Sequence, residues 1–201
     1  MKQYPTISKV IRRDIDIYAF DKFDGSNIRA EWTRKNGFFK FGSRNVLIDD
    51  KHKDLGKSIS LMQSKYEDDL SNIFRKERFD KVTCFFEFFG PNSFGGQHNP
   101  NDDHSIILLD INPHKRGILD PRQFLKMVGH LDVPRLLYQG KANAEFENSV
   151  RDSSINITFE GVVCKGMYRN TLVMFKIKSN AWIEKLKQFC GGDLKLFEEL
   201  Y

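Results

Sequence analysis

From Ile15 to Lys22, apolar Ile15, Ile17 and Ala19 alternate with Asp14, Asp16 and Tyr18. That period of two predicts a half-buried strand. Asp24-Gly25-Ser26-Asn27 then supplies turn residues. Strands are predicted over 28–34 and 38–41, split by the hairpin pair Asn36-Gly37. From Ile59 to Arg78 the period lengthens, with Met62, Tyr66, Leu70, Ile73 and Phe74 at three- and four-residue steps, the mark of a long amphipathic helix. Further strands are expected over 82–89, ending at Gly90-Pro91, and over 105–111. Asp120-Pro121 starts a helix with an acidic cap and proline at its first position. Residues 141–150 carry a weaker helical pattern, 155–164 and 172–178 read as strands, and a helix from Ala181 stops at Gly191-Gly192, ahead of a short amphipathic segment. Strands outnumber helices without regular alternation, so an α+β fold with largely antiparallel sheets is expected.

At 201 residues, 40% apolar with 18 phenylalanines, the chain can bury a sizeable core, which excludes native disorder. It has no internal repeat or linker-like tract, so a single domain over 1–201 is expected. The start MKQYPTISKVIRRD has no hydrophobic signal core, and no apolar run nears the roughly 20 residues that span a bilayer. Cys84, Cys164 and Cys190 form no CxxC pair. Neither a zinc site nor a disulfide framework is expected, and the cytoplasm is the expected location. A net charge of +5 favours a polyanionic partner without selecting one.

The chemistry concentrates in lysines at strand positions, where β-branched and aromatic residues are usual. Lys22 ends a strand just before a tight turn. Lys165 is expected to end the strand that begins at Ile155, and Lys176 and Lys178 share a face of the next. Taken singly, each reads as an ordinary solvent-facing residue, as do Glu87 and Glu160. Two histidines and two aspartates crowd the loop 94–104, where a solvated turn is expected rather than a metal site. Trp32 and Trp182 are expected in the core, and Cys164 is expected to be a small buried hydrophobe. Arg34, Lys35, Lys40, Arg44, Lys51, Lys53 and Lys57 form either a solvated face or a nucleic-acid track.

The ordered set is more telling than its members. Lys22-Phe23-Asp24-Gly25-Ser26-Asn27 resembles the KxDG nucleophile motif of covalent nucleotidyltransferases, the superfamily of polynucleotide ligases and RNA capping enzymes. Ser43-Arg44, Phe86-Glu87-Phe88-Phe89-Gly90, Leu109-Asp110, Glu160-Gly161-Val162-Val163-Cys164-Lys165 and Lys176-Ile177-Lys178 resemble its partner motifs in the same order. Asn27, where DNA ligases and capping enzymes usually carry arginine, looks more like the RNA ligases of the T4 phage RNA ligase 2 and editing-ligase type. The DNA-ligase or capping-type readings, and a catalytically silent nucleic-acid-binding module, are the alternatives.

The resemblance implies an ATP-grasp-like nucleotidyltransferase domain of two largely antiparallel sheets flanked by helices, with the nucleotide in a groove between them. It implies an ATP-dependent RNA ligase using Mg2+ (or Mn2+). Lys22 would form a covalent lysyl-AMP, with Asp24 orienting it. Asn27 belongs to the same nucleotide-binding motif. Arg44 would contact the phosphate or sugar, Glu87 the ribose, Lys165 the nucleotide, Glu160 the metal through water, and Lys176 and Lys178 the α-phosphate. The partner would be RNA bearing a 5′-phosphate and a 3′-hydroxyl. A free lysine has a pKa of about 10.4, and bringing it near neutrality destabilises the ammonium by about 4 kcal/mol, which burial and neighbouring cations together supply. The strand Ile106-Ile107-Leu108-Leu109 lacks the aromatic that often stacks on adenine in this superfamily. Only 23 residues follow Lys178. No C-terminal OB or helical domain is therefore expected, and a protein partner or an oligomer would complete the RNA-binding surface.

Overall fold

The computed structural model describes residues 1–201. In chain order the elements are β1 (Asp16–Lys22), β2 (Ser26–Thr33), β3 (Gly37–Gly42), β4 (Leu47–Ile48), α1 (Lys57–Lys76), β5 (Lys81–Phe89), β6 (Ser105–Pro113), α2 (Pro121–Val128), β7 (Leu136–Lys141), α3 (Ala144–Arg151), β8 (Gly161–Tyr168), β9 (Thr171–Lys178), α4 (Asn180–Cys190) and α5 (Leu194–Leu200). The chain divides into two compact units: Met1–Pro5 with Gly25–Val133, and Thr6–Asp24 with Pro134–Tyr201. Both are interrupted in sequence, which is why no linker composition marks a boundary. No helix is long and apolar enough to cross a membrane.

The first unit is a five-stranded antiparallel sheet in the order β4-β3-β2-β5-β6. Alternation sends Ile28, Ala30 and Trp32 of β2 and Val82, Cys84, Phe86 and Phe88 of β5 into one core, where Met62, Tyr66, Leu70 and Phe74 of α1 join them. The helix predicted from those residues is present, two residues earlier at each end. Trp32 is in the core as expected, its indole N–H donating to Ser71 Oγ at 3.0 Å. Asp120 caps α2, accepting from the backbone N–H groups of Arg122 and Gln123.

The second unit is a four-stranded antiparallel sheet, β7-β1-β8-β9, with β1 inside it. Ile17 and Ala19, Val162 and Cys164, and Phe175 and Ile177 share one face with Phe146 and Val150 of α3. The expected strand over 155–164 is corrected: β8 starts at Gly161 and runs on to Tyr168. Residues before Gly161 are pulled aside by Asp21, which accepts from the Thr158 N–H at 3.0 Å and its hydroxyl at 2.5 Å. Lys165 consequently lies inside the strand, not at its end. The helix suggested over 141–150 begins only at Ala144, after an Asn143 cap, because 136–141 is strand β7. Gly191, in the left-handed conformation at φ 56°, ends α4 as predicted.

Candidate active site

In the second unit, the face of the sheet opposite its core carries every predicted lysine. Lys22 of β1, Gly161 of β8 and Lys178 of β9 stand in one row, since Lys22 pairs with Gly161 and Gly161 with Lys178. Phe20, Val163 and Lys176 form the next row on the same face, and Lys165 follows Val163 along β8. Register thus brings together motifs far apart in sequence.

Glu160, immediately before Gly161, is buried, 3% exposed. Its Oε2 accepts from Lys22 Nζ at 2.8 Å and its Oε1 pairs with Lys178 Nζ at 3.1 Å. Gly161 is required at this crossing. Its φ is +139°, and a Cβ there would meet the Ile177 carbonyl at 2.1 Å. Lys178 is 4% exposed, so it does not mark a solvent face. Burial pushes its pKa down to about 8, Lys176 and Lys22 add to that, and the Glu160 carboxylate opposes it. Lys165 is also buried, with its ammonium 5.0 Å from the centre of the Phe20 ring.

Two features of this cluster lie beyond the motifs. Trp182, 1% exposed, donates its indole N–H to Asp24 Oδ2 at 2.9 Å, and its ring lies 3.4 Å beneath the Lys178 ammonium. One core side chain therefore ties the KxDG aspartate to the KxK lysine. The only signal in the sequence was its place four residues after Lys178, at the start of a helix capped by Ser179. The end of α5 also lies on these lysines: Lys176 Nζ donates to a backbone oxygen of Tyr201 at 2.8 Å, and Lys178 Nζ to the Leu200 carbonyl at 3.4 Å. No residue of α5 is fully buried, so the segment is lightly held.

In the first unit, Asn27 and Glu87 are paired across β2 and β5 on the face away from the core. Asn27 Nδ2 donates to the Phe86 carbonyl at 3.2 Å, while its Oδ1 is buried without a partner. Gly25 is confined by β5, since a Cβ there would meet the Phe88 carbonyl at 2.2 Å. Arg44 is exposed in the turn joining β3 to β4, beside Ser43, whose carbonyl accepts from Arg29 Nε at 2.6 Å. Loop 94–104 is more ordered than a solvated turn. Asp102 is buried and accepts from the backbone and side chain of Asn92, His98 bonds the hydroxyls of Ser93 and Ser26, and His104 stacks on Phe88. The three cysteines are free and buried, and burial raises the Cys164 thiol pKa, as befits a small core residue.

The backbone has known counterparts. An archaeal ATP-dependent RNA ligase superposes on the whole chain with a TM-score of 0.67 at 15% identity, the match covering 56% of that ligase. The fold is that of RNA ligase nucleotidyltransferases. Naegleria gruberi RNA ligase with pyrophosphate matches 92% of this chain at 18% identity and a TM-score of 0.62. A variant of the same enzyme with ATP and Mn matches 91% at 16% identity and 0.63. This chain spans 60% and 59% of those two structures. The sequence matches no protein-family profile and no curated protein. The expected fold class, α+β with two antiparallel sheets flanked by helices, is the one found.

Proposed function

We propose that this chain is the nucleotidyltransferase part of an ATP-dependent RNA ligase of the T4 phage RNA ligase 2 and editing-ligase type, with Lys22 as its nucleophile. The observation that carries the reading is the Lys22–Glu160–Lys178 cluster. Three motifs separated by up to 156 positions converge on one buried carboxylate, inside a fold shared with RNA ligases. A lone strand-end lysine has no reason to keep such company.

Lys22 Nζ would attack the α-phosphate of ATP. The N–P bond forms, the bond from that phosphorus to the bridging oxygen breaks, and pyrophosphate leaves with the electron pair. The amine must shed a proton, and Glu160 Oε2 at 2.8 Å is within reach to take it. Lys176 and Lys178 would exchange the backbone oxygens of Leu200 and Tyr201 for α-phosphate oxygens and stabilise the charge that grows there. Trp182 would hold Asp24 in place. Asn27, with its unpartnered Oδ1, and Glu87 would meet the nucleoside, Arg44 the phosphate or sugar, and Lys165 the nucleotide. AMP would then pass to an RNA 5′-phosphate, and a 3′-hydroxyl would expel it as the strands join.

No three carboxylate, histidine or cysteine side chains converge on a cage for a metal ion. Glu160 presents a single carboxylate, which fits Mg2+ or Mn2+, ions that keep much of their water and bind substrate phosphates. Such an ion would be held by Glu160 through water and would neutralise the polyphosphate. RNA is the proposed partner, tracked by the exposed residues Arg34, Lys35, Arg44, Lys51, Lys53 and Lys57. The cytoplasm is the proposed location.

Intact-mass spectrometry after incubation with ATP and Mg2+, and separately with GTP, tests the first step. A gain of one AMP that is absent in Lys22→Ala supports the reading. No adduct with either nucleotide refutes it, and a GMP adduct makes the protein a capping-type enzyme.

A further inference from the structure

The ladder between β2 and β5 opens with Ser26 opposite Phe88, and its next rung is Asn27 opposite Glu87. The two residues proposed to meet the nucleoside therefore stand one rung from a strand end. Strand ends fray, because no backbone pairing beyond them resists opening. A side chain that closes this end would fix both residues.

Side chains do take over where the backbone ladder stops. At the end of β5 the Gly90 N–H donates to Ser93 Oγ at 2.7 Å. Ser93 Oγ lies 3.1 Å from His98 Nδ1, and His98 Nε2 lies 2.8 Å from Ser26 Oγ, at the start of β2. Ser26 Oγ in turn donates to the Gly96 carbonyl at 3.4 Å. Only one tautomer uses both hydroxyl protons within this chain of bonds. Ser93, already accepting from Gly90, gives its proton to Nδ1, so Nε2 carries the ring proton and donates to Ser26, which passes its own to Gly96. The bonds run in one direction and join the ends of the two strands. The imidazole is also held by packing. Its ring lies 5.0 Å from that of buried Phe88, on which His104 stacks at 4.7 Å. The loop that carries it is closed by Phe94 and Gln97, whose backbones pair around Gly95 and Gly96. A side chain fixed in this way loses little further entropy in making its bonds.

We infer that His98 is a positioning residue of the nucleoside site, which staples the start of β2 to the end of β5 through Ser26 and so fixes Asn27 against Glu87. Its place in the reaction rests on the proposed nucleotidyl transfer, whereas the staple itself does not. Contacts to the nucleoside are made equally before and during transfer at the α-phosphorus. Their loosening should therefore raise the KM for ATP and spare kcat.

Lys22 adenylylation on the full chain, followed by intact-mass spectrometry over a range of ATP concentrations, tests the reaction role. His98→Ala should raise the KM for ATP about tenfold, the equivalent of about one hydrogen bond, and leave kcat within about twofold. His98→Gln, which can still donate to Ser26 from the ε position, should recover most of that loss. His98→Asn, which keeps only an acceptor for Ser93 at the δ position, should behave like His98→Ala. Ser26→Ala should raise KM as His98→Ala does, and serves if the loop variants do not fold. Rescue by Asn and not by Gln would make His98 an anchor of its own loop only. An unchanged KM, or a fall in kcat alone, equally overturns the role. Two further readouts need no nucleotide. NMR of the imidazole nitrogens should find His98 protonated at Nε2 alone. Hydrogen exchange of the cross-strand amides at the start of β2 should quicken in His98→Ala and slow again in His98→Gln. If wild type gains no AMP while both of these results hold, the ligase reading fails and the staple stands. A proton on Nδ1, or exchange unchanged by His98→Ala, overturns the staple.

Discussion

Replacing Trp182 with phenylalanine removes one interaction, weakens a second and keeps most of the packing. The indole N–H to Asp24 hydrogen bond, 2.9 Å long with a charged acceptor, belongs to a class worth about 1.5–3 kcal/mol. Asp24 is only half-buried, which places this bond at the low end of that range. The weaker ring beneath the Lys178 ammonium adds about 0.5–1 kcal/mol to the loss. Trp182→Phe should therefore cost about 2 kcal/mol, and a chain of this size loses roughly 2–4 °C of Tm per kcal/mol, so Tm should fall by about 4–8 °C. Denaturant unfolding of wild type, Trp182→Phe, Asp24→Ala and the double variant forms a cycle that isolates the pair, provided each transition is two-state. The coupling should be about 1–1.5 kcal/mol. A coupling below about 0.3 kcal/mol, the level at which independent sites add, would show that Trp182 is packing material and does not hold Asp24.

Arg135→Ala should destabilise the protein by about 1–3 kcal/mol in urea. It strips the guanidinium, 2.7 Å away, from the fully buried Asp21 carboxylate, though the two Thr158 donors remain. The depressed Lys178 pKa, about 8 against an ordinary 10.5, means that between those values the unfolded chain holds a proton the folded chain has released. Stability should accordingly rise as pH climbs through 8 toward 10.5, and Lys178→Met should flatten that rise in melts taken from pH 7.5 to 9.5. Glu198→Pro, which breaks α5, should lower the KM for ATP in Lys22 labelling without lowering kcat, because the backbone oxygens of Leu200 and Tyr201 then no longer compete for Lys176 and Lys178. An unchanged KM would mean that α5 does not shield the lysines.

Much of this architecture was legible because its signals are local. The periodicity of α1, the Asp120-Pro121 cap and the Gly191 stop each act within a few residues, and each stands where it was read. Strand β7 was missed because Leu136–Lys141 is an edge strand held by backbone pairing to β1, with no alternation of apolar residues to show it. The start of β8 was misplaced because Asp21, distant in sequence, decides where the chain may join the sheet. For the site, the motifs named the lysines and Glu160, whereas the geometry that joins them is a matter of register, with Lys22, Gly161 and Lys178 side by side on three strands. Trp182 reads in the sequence as an ordinary core residue. What distinguishes it is its partner, the Asp24 carboxylate.

The position of β1 inside its sheet has a kinetic consequence. Both of its neighbours, β7 and β8, are encoded more than a hundred residues downstream. At about 5–20 residues per second, the strand bearing Lys22 waits roughly 5–25 s on the ribosome before its first partner is made. Meanwhile all five strands of the other sheet, from β2 to β6, are complete and free to pair. Contacts between such distant segments form slowly. The surroundings of Lys22 are thus assembled late, once Glu160 and Lys178 have been synthesised, and covalent labelling of Lys22 would report the last stage of folding.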